Sequence, residues 1–177
     1  AVSPLKNFPK KDKIIIFTGK LNSSKGYDIF GKAVLKILEK FQTWKAFAIG
    51  NERRETHNFK HKNLKVIDWL PHKKILNFYK KSSISVACSR WQEPFGRTAM
   101  ESAAYGCATI TTNRGGLSET FNTNLTLNEL NTASLEKLIT KIIKNKKLLN
   151  KIQKRNFSNV LHKMDYLISK IDNLKNN

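Results

Sequence analysis

The sequence predicts a single α/β domain built around a parallel sheet. Short apolar segments rich in Ile and Val alternate along the chain with segments of helical periodicity, which is typical of layered α/β folds. The short segments are apolar throughout rather than at every second residue, as expected for strands buried on both faces. With 177 residues, of which 40% are hydrophobic, the chain is long enough for a real core, and neither a repeat nor a Gly/Ser-rich linker divides it.

Each element follows from a local pattern. The apolar runs predict strands at residues 13–18, 45–49, 64–67, 84–88 and 108–112. A first helix is predicted from about residue 25 to residue 41, because Ile29, Val34 and Leu38 recur there at helical spacing. The same reasoning predicts later helices at residues 72–81, 98–105, 135–143, 147–157 and 160–174. Residues 51–62 are polar and charged and are expected to form a loop.

The charge of the chain is strongly basic: 33 Lys and Arg stand against 13 Asp and Glu, for a net charge of +20. This balance makes nucleic acid the first hypothesis for a partner. However, most of the basic residues are Lys, which like Asn and Ile has AT-rich codons, whereas base readout favours the Arg fork. The aromatic residues that base stacking would need lie inside apolar patterns: Phe17, Phe30, Phe41 and Phe47. We therefore do not expect nucleic-acid binding, and it stays the alternative function.

The apolar runs and the cysteines predict a cytoplasmic protein without a membrane span. The longest apolar runs, at residues 14–17 and 84–88, are far shorter than a transmembrane helix. Cys88 and Cys107 fit neither a zinc nor a redox spacing, so we expect two buried thiols. The histidines show no metal-ligand spacing and are expected mostly at the surface: His57, His61, His72 and His162.

The loops that follow the strands are the candidate ligand sites, because ligands bind beyond the carboxyl ends of the strands in open parallel sheets. The first loop, Gly19–Gly26, precedes a helix and contains Lys20 and Lys25. Main-chain amides and ammonium groups at such a helix start are typical of a phosphate site, and a solvated turn is the alternative. The loop has neither the P-loop nor the dinucleotide spacing. The other loops to consider are residues 50–55, 68–72, 89–97 and 113–119.

The loop at residues 89–97 places two carboxylates near the start of a helix. Glu93 precedes a proline that disfavours helix, and Gly96 allows close approach of a ligand. Glu101 is expected in the first turn of the helix, where a carboxylate accepts hydrogen bonds from a vicinal diol or only complements the helix dipole. A surface charge is the alternative for Glu93. Nearby, Trp91 either lines a pocket or packs, whereas Trp44 and Trp69 are expected in the core or at its rim.

Glu93 and Glu101 enclose seven residues, and this spacing resembles the E-x7-E motif of retaining glycosyltransferases with the GT-B fold, family 4 or group 1. Four further segments resemble motifs of that family in the same order. Residues 18–26 resemble G-R-L-x-x-x-K-G, and residues 68–72 resemble G-W-x-P-H. Residues 87–89 resemble a strand ending in P-S, and residues 114–119, which end at Glu119, resemble G-G-x-x-E. The resemblance runs from about Lys13 to Phe157.

The resemblance implies the C-terminal half of a GT-B enzyme, with a Rossmann-like open parallel sheet, helices on both faces and a helical C-terminal segment. It divides the chain into a linker-like segment (residues 1–12), a nucleotide-sugar-binding domain (13–157) and a C-terminal helix (158–177). In the family a separate N-terminal half contacts the acceptor. We therefore expect a fragment that binds the donor weakly and transfers no sugar by itself.

The resemblance also implies roles for individual residues. Lys20 and Lys25 would hold the donor diphosphate and stabilise the leaving group, and Glu93 would hydrogen-bond the sugar; these three form the catalytic set. Glu101 would hold the ribose diol, and the base would lie against residues 68–72. The expected donor-binding set is Gly19, Lys20, Lys25, Gly50, Leu70, Ser89, Glu93, Phe95, Gly96, Arg97, Thr98 and Glu101. Three residues depart from the family pattern: Lys20 for Arg, Asp68 for Gly and Cys88 for Pro. No metal or other cofactor is expected.

The expected partners follow from the same resemblance. They are a nucleoside-diphosphate sugar and a glycan or lipid-linked acceptor, in the synthesis of cell-envelope polysaccharide. The lysines near residues 137–144 form either a solvated helix face or a surface weakly attracted to anionic lipid at the inner face of the cytoplasmic membrane. A non-catalytic nucleotide-sugar-binding module on the same fold is a further alternative.

Overall fold

The computed structural model describes residue 5, residues 7–116 and residues 125–175, the last of these beyond Val160 as backbone only. These residues form a six-stranded sheet in the order β3-β2-β1-β4-β5-β6, and every described strand pair is parallel. The strands are β1 (Asp12–Thr18), β2 (Lys45–Ile49), β3 (Leu64–Ile67), β4 (Ser82–Ala87), β5 (Ala108–Thr112) and β6 (Thr126–Leu127). The helices are α1 (Tyr27–Lys40), α2 (His72–Lys81), α3 (Arg97–Ala104), α4 (Thr132–Lys144) and α5 (Lys146–Lys175).

The strand order reverses at β1, which lies between β2 and β4. Phe17 of β1 pairs with Val86 of β4, and Thr18 pairs with Ile49 of β2, so three strands end at one edge. The loops that follow β1 and β4 therefore start side by side, at a topological switch point.

Helices cover both faces of the sheet, as predicted. Ile15 and Phe17 of β1 are buried on one face with residues of α1 and α4. Ile16, which alternates with them, is buried on the other face with Tyr79 of α2 and Val160 of α5. Because successive side chains of a strand point to opposite faces, one strand supplies both layers of the core. Each fully buried side chain of this size contributes about 1.5–3 kcal/mol.

The bounds of β2, β3, α2 and β5 coincide with the predicted ones. In contrast, β4 begins two residues before the predicted strand, because two buried serines extend it. The Ser82 hydroxyl donates to the Phe78 carbonyl oxygen at 2.8 Å, and the Ser83 hydroxyl donates to the Asp12 carbonyl oxygen. A hydrogen-bonded serine is compatible with a buried strand, and the apolar pattern alone did not indicate this.

The two helices predicted at 147–157 and 160–174 are one helix, α5, and that part of the prediction is wrong. Ser158 and Asn159 have low helix propensity, but such preferences are weak, and neither Gly nor Pro interrupts the segment. Two side chains on the buried face of the helix bind the sheet. The Gln153 amide donates to the Ser83 carbonyl oxygen at 2.9 Å, and the Asn156 amide donates to the Cys107 carbonyl oxygen at 2.9 Å.

Part of the segment predicted as linker-like packs on the domain. Phe8 packs edge-on against Phe157, with ring centroids 5.7 Å apart. The Lys11 ammonium group donates to the Tyr79 carbonyl oxygen at 2.9 Å and also to Tyr105, so it satisfies carbonyl groups at the ends of α2 and α3. In the part of the chain that the structure describes, every helix is too short or too polar to cross a bilayer.

Candidate functional site

A small pocket lies at the switch point, where the carboxyl ends of β1 and β4 meet the start of α3. Its cavity volume is about 30 Å³. Five of the residues predicted to bind the donor line it together with residues of the two strand ends. The lining residues are Phe17, Thr18, Lys25, Ala87, Ser89, Glu93, Gly96 and Thr98.

Lys25 and Glu93 meet in this pocket and form an ion pair, although 68 residues separate them in the sequence. Lys25 ends the 3-10 turn Ser23–Lys25 before α1, and Glu93 lies in the loop after β4. Their side chains are 31% and 19% exposed, so the pair is only partly accessible to water. Two of the three residues predicted as catalytic are thus in direct contact, and each neutralises the other in the ligand-free protein.

Two glycines, Gly115 and Gly116, pair with the main chain of Glu93. Glu93 and Gly115 form a single parallel bridge, and the Gly116 amide donates to the Glu93 carbonyl oxygen at 2.6 Å. A Cβ atom on Gly115 would lie 2.5 Å from that oxygen, and one on Gly116 would lie 2.4 Å from the Pro94 carbonyl oxygen. The glycine pair of the predicted G-G-x-x-E motif is therefore needed for close backbone contact. Glu119 of the same motif lies outside the described residues.

Gly26 and Gly50 also allow close backbone approach. Gly26 has a φ of 76°, and a Cβ atom there would lie 2.0 Å from the Cys88 carbonyl oxygen. Gly50 has a φ of 148°, and a Cβ atom there would lie 1.8 Å from the Gly19 carbonyl oxygen. The Gly19 amide donates to the Ile49 carbonyl oxygen at 3.0 Å. Both Gly19 and Gly50, predicted to bind the donor, join neighbouring strand ends in this structure.

The loop after β4 is bound to the loop after β1 through Ser24. The carbonyl oxygen of Ser24 accepts from the Arg90 amide at 2.8 Å and from the Trp91 amide at 3.2 Å. The buried Ser89 hydroxyl donates to the same oxygen at 3.2 Å. These contacts hold the Lys25 loop and the Glu93 loop as one unit.

Two main-chain amides of the Lys25 turn are bound within the protein. The Ser23 amide donates to both carboxylate oxygens of Glu55 at 3.0 Å. The Lys25 amide donates to the Asn22 side-chain oxygen at 3.0 Å. The protein thus satisfies itself these two of the amides that the sequence suggests for phosphate. Lys20 is exposed and has no ion-pair partner among the residues that the structure describes.

Glu101 lies in the second turn of α3, so its predicted place in the first turn is wrong. Its side chain is only 6% exposed and contacts His72 at the start of α2. The ring nitrogen Nε2 of His72 lies 3.0 Å from Glu101 Oε1, and Arg97 Nε lies 3.8 Å from the same oxygen. The contact from His72, at the start of α2, was not predicted.

The histidines differ from one another in exposure. His72 is exposed, as predicted, although it contacts Glu101. His57 is only 18% exposed: it stacks on Phe59 with ring centroids 5.6 Å apart and contacts Glu55 at 2.6 Å. His61 is half-buried, and the side chain of His162 lies outside the described part.

The other aromatic and site residues discussed above do not line the pocket. Trp91 and Phe95 are 61% and 58% exposed, so neither packs in the core. Trp69 is 54% exposed, whereas Trp44 is buried as predicted. In the segment predicted to hold the base, Leu70 is half-buried, and Arg97 near the pocket is exposed.

The two cysteines are buried free thiols, as predicted. Cys88 stands at the Pro position of the segment that resembles the family's P-S strand end, and its thiol donates to the Gly26 carbonyl oxygen at 3.3 Å. Burial raises the pKa of Cys88 to about 12 and that of Cys107 to about 11. Both thiols are therefore neutral at physiological pH, and Cys88 serves as a packing residue beneath the loop.

The sheet order, the switch-point pocket and the two-layer core define a Rossmann-like domain with a site at the carboxyl edge. Residues 3–158 match the family Glycosyl transferases group 1, and the chain belongs to this family. Spore coat protein SA from Bacillus subtilis is 32% identical to it over 117 residues, which are 59% of this chain and 31% of that protein. The chain thus spans about a third of the length of this relative.

Solved structures show the same fold. The C-terminal domain of the group 1 glycosyl transferase LpcC from Francisella tularensis has a TM-score of 0.76 and 22% identity, covering 91% of this chain and 94% of that one. The Anabaena protein HepE, solved with UDP and glucose, has a TM-score of 0.75 and 15% identity, covering 90% of this chain and 48% of that one. The predicted fold, that of the C-terminal half of a GT-B glycosyltransferase, is confirmed.

Proposed function

We propose that this domain binds the nucleotide-sugar donor of a retaining glycosyltransferase. The enzyme transfers a hexosyl group to a glycan or lipid-linked acceptor in the synthesis of cell-envelope polysaccharide. The observation that carries the proposal is the meeting of Lys25 and Glu93 in one pocket at the switch point of a chain of this family. The neighbour HepE, whose structure contains UDP and glucose, supports a nucleotide-sugar as the ligand.

In this proposal Lys25 binds the donor diphosphate and Lys20 adds a second positive charge from the exposed start of the loop. The bond between the sugar and the diphosphate breaks during transfer, and negative charge grows on the leaving nucleoside diphosphate. The Lys25 ammonium group in its partly water-excluded pocket and the exposed Lys20 ammonium group stabilise that charge, and this is the main catalytic contribution. They take the place of a metal ion, so transfer proceeds without one.

Glu93 and Glu101 bind hydroxyl groups of the donor at its two ends. Glu93 accepts hydrogen bonds from the sugar, which requires that its ion pair with Lys25 is shared with the ligand. Glu101 accepts from the ribose diol. His72 and Arg97 both contact Oε1 of Glu101, so Oε2 is the oxygen that we assign to the diol.

Calorimetric titration with UDP, GDP, ADP and their sugars tests the proposal. We expect saturable binding of one nucleotide, with a large loss of affinity in Lys25→Ala and Glu101→Ala. Lys32→Ala and Glu39→Ala are matched controls, because both residues are exposed on α1. The absence of nucleotide binding, together with DNA affinity that falls steeply as salt rises, would favour the nucleic-acid alternative.

Sugar transfer requires contacts to the acceptor, which in our proposal come from a separate N-terminal half. The chain by itself then binds the donor but transfers no sugar, and activity appears when that half is present. Transfer by the 177-residue chain alone would contradict this part of the proposal. A nucleotide that binds without transfer by the complete protein would instead support a non-catalytic module.

We further propose that the enzyme works in the cytoplasm, with weak attraction to anionic lipid at the inner face of the membrane. Lysines are exposed along α4 and the start of α5, and this supports the proposal. They are Lys137, Lys141, Lys144, Lys147, Lys151 and Lys154. Liposome flotation with and without anionic lipid tests it, and equal recovery from both would refute it.

A further inference from the structure

We infer that Glu52 and Glu55, in the loop after β2, are positioning residues that hold the Lys25 turn in the shape needed for the donor diphosphate. The inference rests on the proposed function of Lys25. The sequence predicts a polar loop here and places residues 50–55 among the candidate ligand loops, but it indicates no role for either glutamate. The two carboxylates act from opposite ends of the turn and through different atoms.

Glu55 binds the first residue of the turn. Both of its carboxylate oxygens accept from the Ser23 amide at 3.0 Å, and one of them also accepts from the Ser23 hydroxyl. His57 contacts the same carboxylate at 2.6 Å and is itself held between two rings, stacked on Phe59 and edge-on to Tyr27. The carboxylate is therefore fixed from both sides, and it fixes the main chain two residues before Lys25.

Glu52 acts on Lys25 itself through one intermediate residue. The Asn22 side-chain amide donates to Glu52 Oε2 at 3.0 Å. The oxygen of the same side chain accepts from the Lys25 main-chain amide at 3.0 Å. Glu52 thereby orients the Asn22 cap, and the cap sets the backbone from which the Lys25 ammonium extends.

Arg90 holds the turn from the other side, from the loop after β4. Its guanidinium donates to the Ser23 carbonyl oxygen and forms two hydrogen bonds to Asp28, at 2.6 and 2.8 Å. The peptide groups on both sides of Ser23 are thus bound by a carboxylate and by a guanidinium. Because β2 and β4 flank β1, loops from both neighbouring strands converge on the loop that follows β1.

The charge of the two glutamates makes the inference testable. Hydrogen bonds from the Ser23 hydroxyl and amide lower the pKa of Glu55, and Arg54 lowers the pKa of Glu52 to about 2, so both carry negative charge at neutral pH. Negative charge beside a phosphate-binding turn repels the ligand. Removing it would therefore strengthen binding if Glu55 acted through charge alone, whereas a positioning role predicts weaker binding.

Calorimetric titration of the chain with UDP, GDP and ADP, each as a separate probe, shows whether the substitution strengthens or weakens nucleotide binding. For the nucleotide that binds, we expect Glu55→Gln to lower the affinity by about tenfold, as for the loss of a hydrogen bond to a charged group. Glu39→Gln removes the same charge from an exposed site on α1 and should change affinity by less than about twofold. Ser23→Ala, which removes only the hydroxyl donor, is the second variant and should give a smaller loss. Thermal melts verify that each variant is folded.

A double-mutant cycle shows whether Glu55 acts through Lys25. The double variant Glu55→Gln/Lys25→Ala should bind no more weakly than Lys25→Ala alone, since there is no ammonium group left to position. Unchanged or stronger binding in Glu55→Gln, or effects that add in the double variant, would overturn the inference while leaving the proposed function intact. Failure of all three nucleotides to bind the natural chain would instead refute the proposed function and the inference with it.

Discussion

The Lys25–Glu93 ion pair leads to a prediction in which one substitution changes the affinities for two related ligands to different extents. In the free protein Glu93 neutralises Lys25, so a nucleoside diphosphate must compete with Glu93 for the ammonium group. A nucleotide-sugar meets the same competition, but its sugar hydroxyls gain a hydrogen bond to Glu93. Glu93→Gln removes the competing charge, and it weakens the contact to the sugar.

The burial of the pair sets the size of the effect. Neither side chain is more than a third exposed, so the contact is comparable to a hydrogen bond between charged groups, about 1.5–3 kcal/mol. Since about 1.4 kcal/mol corresponds to a factor of ten, we expect the affinity for the free nucleoside diphosphate to rise about tenfold in Glu93→Gln. The affinity for the nucleotide-sugar changes less, because the lost hydroxyl contact offsets the gain. The preference for the sugar-bearing ligand therefore falls about tenfold.

Calorimetry with the nucleoside diphosphate and its sugar, at one pH and one salt concentration, measures both affinities. Glu39→Gln is the control for the loss of one negative charge, and it should leave the ratio of the two affinities unchanged. If Glu93→Gln lowers the affinity for the free nucleoside diphosphate, Glu93 does not compete for Lys25. If it weakens both ligands equally, Glu93 does not contact the sugar, and the reasoning is refuted.

Three further predictions test the fold around the site. A thiol reagent at neutral pH should label neither Cys88 nor Cys107 in the folded protein, because burial raises their pKa values to about 12 and about 11. Both thiols should react in concentrated guanidinium, and labelling without denaturant would contradict their burial. The Arg90 guanidinium lowers the pKa of Asp28, so Asp28→Asn should reduce the free energy of unfolding in urea by its full amount at neutral pH. The difference between the two proteins should disappear as the pH falls below about 4 and through the lowered pKa, and a difference that grows in acid would contradict this. Gly50→Ala should reduce the free energy of unfolding by about 2 kcal/mol or more, because its Cβ atom would lie 1.8 Å from the Gly19 carbonyl oxygen and the residue has a φ of 148°. An unchanged unfolding midpoint would show that the strand ends can separate.

Most of the fold could be predicted because its elements have strong local patterns. The strands at 45–49, 64–67 and 108–112 and the helix at 72–81 have the predicted bounds, since apolar runs and helical periodicity mark them directly. Errors arose where burial depends on partners far along the chain. Ser82 and Ser83 are polar in sequence but join β4 through hydrogen bonds, and α5 continues through Ser158 because its buried face is bound to the sheet.

The candidate site could be predicted only in part, for a related reason. Lys25, Glu93 and Glu101 were expected from their spacing and their place after strands. The contact of His72 with Glu101 was not, because 29 residues separate them. The place of Glu52 and Glu55 after a strand marked their loop as a candidate, but no local signal distinguished these two glutamates within a charged segment.

From the sequence alone one can predict the order of the elements, the family motifs and the loops that carry candidate side chains, because these depend on patterns within a few residues. The pairing of Lys25 with Glu93 and the binding of Ser23 by Glu55 and Arg90 become visible only in the tertiary structure. These contacts join residues 32 to 68 positions apart. Their proximity follows from the position of β1 between β2 and β4, which packing of the whole sheet sets and no local pattern encodes.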